Sequence, residues 1–165
     1  MNKISSENLA VMDIVYSTSV DGVGLRNALY VSGCNMRCPH CHNQDSWDIN
    51  AGTWHTVEEV YDQLNIDYLP VSILGGEPLM QYEAVTRLCR LIKEKTGKSI
   101  WLWSGHTYEY IHTHFAQILL YIDVLVDGRY EHDLRDTSLL WRGSSNQRVI
   151  DVQKTINNKE VILMD

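Results

Sequence analysis

The chain has 165 residues, 44% hydrophobic and 21% charged, a globular composition that excludes collagen, intrinsic disorder and coiled coil. At this size about 70% of the unfolded surface is buried on folding, enough for a single domain over 1–165 without disulfides. Acidic residues outnumber basic ones 21 to 14, and the formal charge of −7 argues against a nucleic-acid-binding surface.

The first residues, Met1-Asn2-Lys3-Ile4-Ser5-Ser6, lack the apolar stretch and cleavage pattern of a secretory leader. Apolar runs such as 121–126 are strand-sized, so no membrane span is expected and a reducing, cytoplasmic setting is. Residues 11–17 and 28–32 read as strands. Thr56-Val57-Glu58-Glu59 is a capping box that opens a helix with Val57, Val60, Tyr61 and Leu64 inward. Residues 70–74 form a strand ending in Gly75-Gly76. A helix over 81–95 follows, with Ala84, Val85, Leu88, Leu91 and Ile92 on one face and Gly97 as its stop. The pattern continues with a strand at 100–103, a helix over 107–119 on Ile111, Phe115 and Ile118, and a strand at 121–126. Late strands are expected at 148–152 and 161–164. This alternation predicts an α/β domain with a mostly parallel sheet. A complete (β/α) barrel takes about 250 residues, so strands that curl here make only a partial, open one.

Of four cysteines, Cys34, Cys38 and Cys41 fall within eight residues, on the loop leaving the second strand. Three thiolates so spaced can reach one metal centre. One candidate is an iron–sulfur cluster with an open iron. The other is a Cys3His zinc site with His40 or His42 as fourth ligand. Cys89 shares the face of Val85 and Ile92, which makes it a core residue. His112 and His114 are two apart on a helix and cannot form a helical metal pair. Gly22-Val23-Gly24 has Asn27 where a dinucleotide loop needs its third glycine.

The C-x3-C-x2-C motif resembles that of radical S-adenosylmethionine (SAM) proteins, which bind a [4Fe–4S] cluster with it. The chain is most similar to the branch that activates glycyl-radical enzymes, and within it to the activators of anaerobic ribonucleotide reductase. The segments that carry the likeness are Asp21-Gly-Val-Gly-Leu-Arg26, Leu29-Tyr-Val-Ser-Gly-Cys34, Leu74-Gly-Gly-Glu-Pro-Leu79 and Trp101-Leu-Trp-Ser-Gly105. They continue with Val124-Leu-Val-Asp-Gly-Arg-Tyr130 and Trp141-Arg-Gly-Ser-Ser-Asn-Gln-Arg148. There are departures: Gly22-Val23-Gly24 replaces Gly-Pro-Gly, His40 a glycine, His42 a tyrosine, and Glu77 a frequent aspartate.

The resemblance implies a partial radical SAM barrel with the cluster on Cys34, Cys38 and Cys41. Gly75, Gly76 and Glu77 would hold the SAM amino group and Ser104 its ribose or carboxylate, with His40 and His42 beside the cofactor. Without the resemblance, Gly75-Gly76 is a tight turn and Ser104 a helix cap. It further implies reductive cleavage of SAM and a glycyl radical on the reductase's catalytic subunit, with an electron from a low-potential donor such as flavodoxin. The competing readings are another radical SAM activity, such as pyruvate formate-lyase activation or small-molecule modification, and a zinc- or cluster-binding interaction module. Trp101 and Trp103 are expected to pack, and Trp141 either lines a partner surface or packs on the open edge.

Overall fold

The computed structural model describes residues 3–164; Met1 and Asn2, where the leader reading begins, and Asp165 lie outside the described residues. The elements are β1 (Asn8–Thr18), β2 (Arg26–Val31), β3 (Thr53–Thr56), α1 (Val57–Leu64), β4 (Val71–Gly75) and α2 (Tyr82–Thr96). Then come β5 (Ile100–Ser104), α3 (Tyr108–His114), β6 (Val124–Asp127), β7 (Arg148–Asp151) and α4 (Val152–Asn158).

One seven-stranded open sheet runs β3-β1-β2-β4-β5-β6-β7. The central pairs β2–β4, β4–β5 and β5–β6 are parallel, and the flanking pairs are antiparallel. Four parallel strands therefore deliver their C-terminal ends to one rim, the ordinary place for a ligand in an open α/β sheet. The helices all bury their apolar faces on one side, in a core that includes Leu29, Ile73, Leu102 and Leu125 from the strands. The opposite face carries only a small cluster of Trp101, Val124, Val126 and Val149, with Trp103, Trp141 and Met164 against it.

Local chemistry explains most boundaries. Thr56 accepts from the Glu59 N–H at 3.1 Å while Glu59 accepts from the Thr56 N–H at 2.8 Å, completing the expected box. Gly97 closes α2 in the left-handed region at φ 65°. Cys89 is fully buried on α2, and burial pushes its thiol up to about 12. His112 and His114 are exposed.

Four expectations change. β3 was not foreseen; it is short and half-exposed, without a strand-like apolar pattern. The helix over 107–119 breaks at Phe115, whose ring lies 4.9 Å from that of Tyr82, and a 3-10 turn, Ala116–Leu120, keeps Ile118 and Leu119 in the core. The strand at 121–126 starts only at Val124, because the Asp123 carboxylate takes the Ile100 N–H at 2.8 Å and the Lys93 ammonium at 2.6 Å. β7 ends at Asp151, whose side chain caps α4 through the Lys154 N–H, and 161–164 adds one isolated bridge, Ile150 to Leu163.

Gln81 ties the Cys loop's root to β1. It accepts the Ala10 N–H at 2.8 Å and donates to the carbonyls of Ala10 and Ser32, both at 3.0 Å. Gln81→Leu keeps the volume and leaves the Ala10 N–H and the Ser32 carbonyl without this partner, while the Ala10 carbonyl keeps the Ser32 N–H at 3.1 Å; urea unfolding of the cluster-free protein is expected to show a loss of about 2 kcal/mol.

Candidate metal centre and ligand cavity

Every rim element contributes to one cavity of about 200 Å³, lined by Cys34, Cys38, Cys41, Gly76, Glu77 and Ser104 among others. His42 and Gly75 also reach it. His40 does not. It is exposed at φ 61° and its ring stacks on His132 at 4.2 Å, over an outer groove that shares Cys41, His42 and Tyr130 with the cavity.

The Cys loop is rooted by backbone bonds. Gly33 N–H donates to Ser46 at 2.7 Å and Cys34 N–H to Trp47 at 3.1 Å, which anchors the outgoing and returning limbs together. The Cys41 N–H closes a turn on the Cys38 carbonyl at 3.1 Å, and Asn43 N–H donates to the Cys41 Sγ at 3.4 Å. Burial pushes the Cys34 thiol up, while the N–H groups of Met36 and Arg37 pull it back. Metal binding would have to displace that proton.

Gly75 and Gly76 pack backbone on backbone. A Cβ on Gly76 would lie 2.3 Å from the Gly33 carbonyl oxygen, and one on Gly75, at φ 121°, 2.4 Å from the Val31 nitrogen. Gly76 N–H donates to the Val31 carbonyl at 2.9 Å and Glu77 N–H to Gly33 at 2.8 Å. The glycine pair thus joins the end of β4 to the strand that feeds Cys34.

Glu77 is buried, and its carboxylate accepts from the Gly105 N–H at 2.7 Å, the Leu79 N–H at 3.0 Å and the Ser104 hydroxyl at 3.0 Å. Burial dominates and pushes the carboxyl up to about 7 despite those donors. Ser104 is no helix cap; Thr107 caps α3 instead, and Ser104 holds Glu77 while accepting the His106 N–H at 3.0 Å.

Three thiolates facing a glycine-rich rim fit an iron–sulfur cluster. In the cavity wall the Trp47 indole N–H is buried without an acceptor, as a site built for a further group would leave it.

Other lining residues were not anticipated, among them Met36, Trp103, Tyr130 and Gln147. Trp103 is the one that sequence could have supplied, since it follows Trp101 by two on β5 and shares its face. Trp141 packs rather than presenting itself. Its ring meets Trp101 edge-on at 5.0 Å and its carbonyl accepts the Trp103 indole N–H at 2.7 Å.

Comparison with known proteins agrees with this geometry. The chain matches the 4Fe-4S single cluster domain family over residues 20–150. It is 39% identical to the anaerobic ribonucleoside-triphosphate reductase-activating protein of Escherichia coli, over 79% of this chain and 90% of that one. Its identity to the protein of the same description from Enterobacteria phage T4 is 38%, covering 79% and 86%. For the Haemophilus influenzae protein it is 37%, covering 80% and 92%.

Two predictions come from the rim. Gly76→Val is expected to lower cluster retention, since its side chain strikes the Gly33 backbone that feeds Cys34; iron content after anaerobic reconstitution checks this. Because the folded value of Glu77 lies above its ordinary 4.5, its contribution to stability is fully present below that pH and is lost as pH rises through 7. Parent and Glu77→Gln unfolding free energies, both ligand-free, are expected to diverge in slope over this window by about 3 kcal/mol.

Proposed function

The chain belongs to the family of anaerobic ribonucleoside-triphosphate reductase-activating proteins, and on that premise we propose that it is a radical SAM activase which puts a glycyl radical on an anaerobic ribonucleotide reductase. The observation that carries this reading is the convergence of Cys34, Cys38 and Cys41 with the Gly75–Glu77 rim on one cavity. Cys34, Cys38 and Cys41 would hold the [4Fe–4S] cluster, which would supply the single electron for cleaving SAM to methionine and a 5′-deoxyadenosyl radical, the species that would take a hydrogen atom from a glycine Cα of the reductase.

The chain's own residues bind, orient and exclude. Cys34, Cys38 and Cys41 would supply three thiolates to a four-iron cluster, one fewer than its irons, so that the methionine amino and carboxylate groups would serve as the remaining ligand. Glu77 is the acceptor for the ammonium. Its carboxyl, held near neutrality by burial, ionises readily once a cation lies against it. Gly75 and Gly76 set the depth of that contact, and Ser104 fixes the carboxylate that makes it. His42 stands in the cavity wall, while His40 marks its outer edge. Leu74, Trp103 and Val126 provide apolar wall that keeps water from a reactive intermediate.

We read the open sheet as a partial (β/α) barrel of radical SAM type, formed by a single domain. Its helix-free face leaves room for a loop of the reductase to enter. A glycine Cα offers the cavity almost nothing to discriminate, so partner choice falls to the surface around Asp127–Tyr130 and Arg142–Gln147. The setting is the reducing cytoplasm, and the electron comes from a low-potential donor such as flavodoxin.

Anaerobic reconstitution with iron and sulfide is expected to give a brown protein with about four irons per chain. Cys34→Ala, Cys38→Ala and Cys41→Ala should each abolish cluster binding and SAM cleavage, and Cys89→Ala should retain both. With reductant and SAM, electron paramagnetic resonance should show a glycyl doublet on a cognate anaerobic reductase and none on pyruvate formate-lyase. A colourless protein retaining zinc would overturn the activase reading. A doublet of similar yield on the lyase would overturn the choice of partner.

A further inference from the structure

We propose that Arg129 is a positioning residue that latches Met36 across Gly105, and that the Met36 side chain thereby walls the cysteine cavity off from an adjoining groove. The inference rests on the reading that Cys34, Cys38 and Cys41 hold a [4Fe–4S] cluster.

Beside the 200 Å³ cavity lies a larger open groove of about 780 Å³, whose lining includes His106, Glu109, Tyr110, Arg129 and Arg148. Met36 and Gly105 are the two residues that line both spaces. They form the partition. A Cβ built on Gly105 would meet the Met36 Cγ at 2.8 Å, its Sδ at 3.1 Å and its Cε at 3.2 Å, so the whole thioether chain lies flat against the glycine. Only a residue without a side chain at 105 lets Met36 come so close. An unbranched, adaptable methionine suits such a shallow seat.

Met36 sits between two thiolate ligands, in a stretch outside every helix and strand. Segments of that kind open locally at low cost unless something outside them holds them. What holds this one is Arg129, whose guanidinium donates to the Met36 carbonyl. Arg129 is itself fixed. Its carbonyl accepts from the Asn146 side chain at 2.7 Å, and the preceding Gly128 carbonyl accepts from Gln147 at 3.0 Å. Gln147 in turn takes the N–H of Gly143 at 2.9 Å and of Ser144 at 3.1 Å. The connection from β6 to β7 is thus braced internally and reaches one charged arm across to the Cys loop. A hydrogen bond from a charged donor is the stronger kind, and a planar fork keeps its direction better than an ammonium. The consequence is kinetic protection: while the latch is closed, reagents in the groove reach the cavity only past the Met36 thioether.

The test is the anaerobic release of iron to a coloured chelator from fully loaded protein without SAM. Losing one charge-assisted bond raises the open population about tenfold, so Arg129→Ala is expected to release iron about ten times faster than the parent. Met36→Ala should be at least as fast, Met36→Leu should stay near the parental rate, and Arg129→Lys should recover part of the protection. Melting temperatures of the cluster-free Arg129 variants should match the parent, since Arg129 is exposed.

Parental release from Arg129→Ala would overturn the latch. A Met36→Leu protein as leaky as Met36→Ala would show that bulk at 36 is not what protects. A parent that takes up no cluster would overturn the reading beneath the proposal. A fully loaded parent whose variants share its release rate would overturn the latch alone.

Discussion

The site depends on one contact that contains no side chain. β2 and β4 are parallel neighbours, in register from Asn27–Val71 to Val31–Gly75. Where the ladder ends, the Gly75-Gly76-Glu77 backbone continues against Val31-Ser32-Gly33 through two further N–H to carbonyl bonds. Any Cβ at 75 or 76 would push the strands' exits apart. With glycine at both, the first cysteine and the buried carboxylate emerge side by side, and the remaining rim residues are arranged around that pair.

Around this contact the protein places polar groups where an ordinary α/β domain would bury apolar ones. Gln81 and Glu77 lie within five residues of each other, and each satisfies groups from elements distant in sequence. At the opposite end of the sheet, Arg26 is buried beneath Trp101 and donates to Ser72 Oγ at 2.8 Å and to the Val71 carbonyl at 2.8 Å. Burial lowers its value to about 10, which still leaves it charged at neutral pH. Such groups are costly if a single partner is lost and rigid if all are present. That stiffness fixes the depth of the cavity at the rim. Glu77 is the exception, because its three donors leave it short of full compensation and open to a cation.

The two sides of the sheet divide the work. The helix-covered side carries the apolar core. The other side carries the tryptophan cluster and the braced segment from Gly128 to Gln147. Trp141 shows how that segment is bonded down, its ring on Trp101 and its carbonyl on the Trp103 indole. An exposed face and a tethered strap suit a protein whose substrate is itself a protein, since a closed barrel would admit only small molecules.

Local chemistry was legible in the sequence wherever a short-range rule governs: the capping box at Thr56, the αL stop at Gly97, the buried face of α2 with Cys89, and the clustering of three thiols on one loop. The break at Phe115 and the late start of β6 were not, because each is decided by a partner far along the chain: the ring of Tyr82 and the N–H of Ile100. The glycine pair is the clearest case. From sequence it signals a place where something approaches closely, and the resemblance suggested a ligand; the structure shows that the nearest neighbour is the backbone leading to Cys34. His40 and His42 differ by two positions and by nothing visible in composition, yet one faces His132 outside and the other the cavity. The sequence by itself determined which residue types could hold a cluster and on which loop. Only the tertiary structure decided which of them share a cavity, because that depends on how parallel strands far apart in the chain bring their ends to one rim.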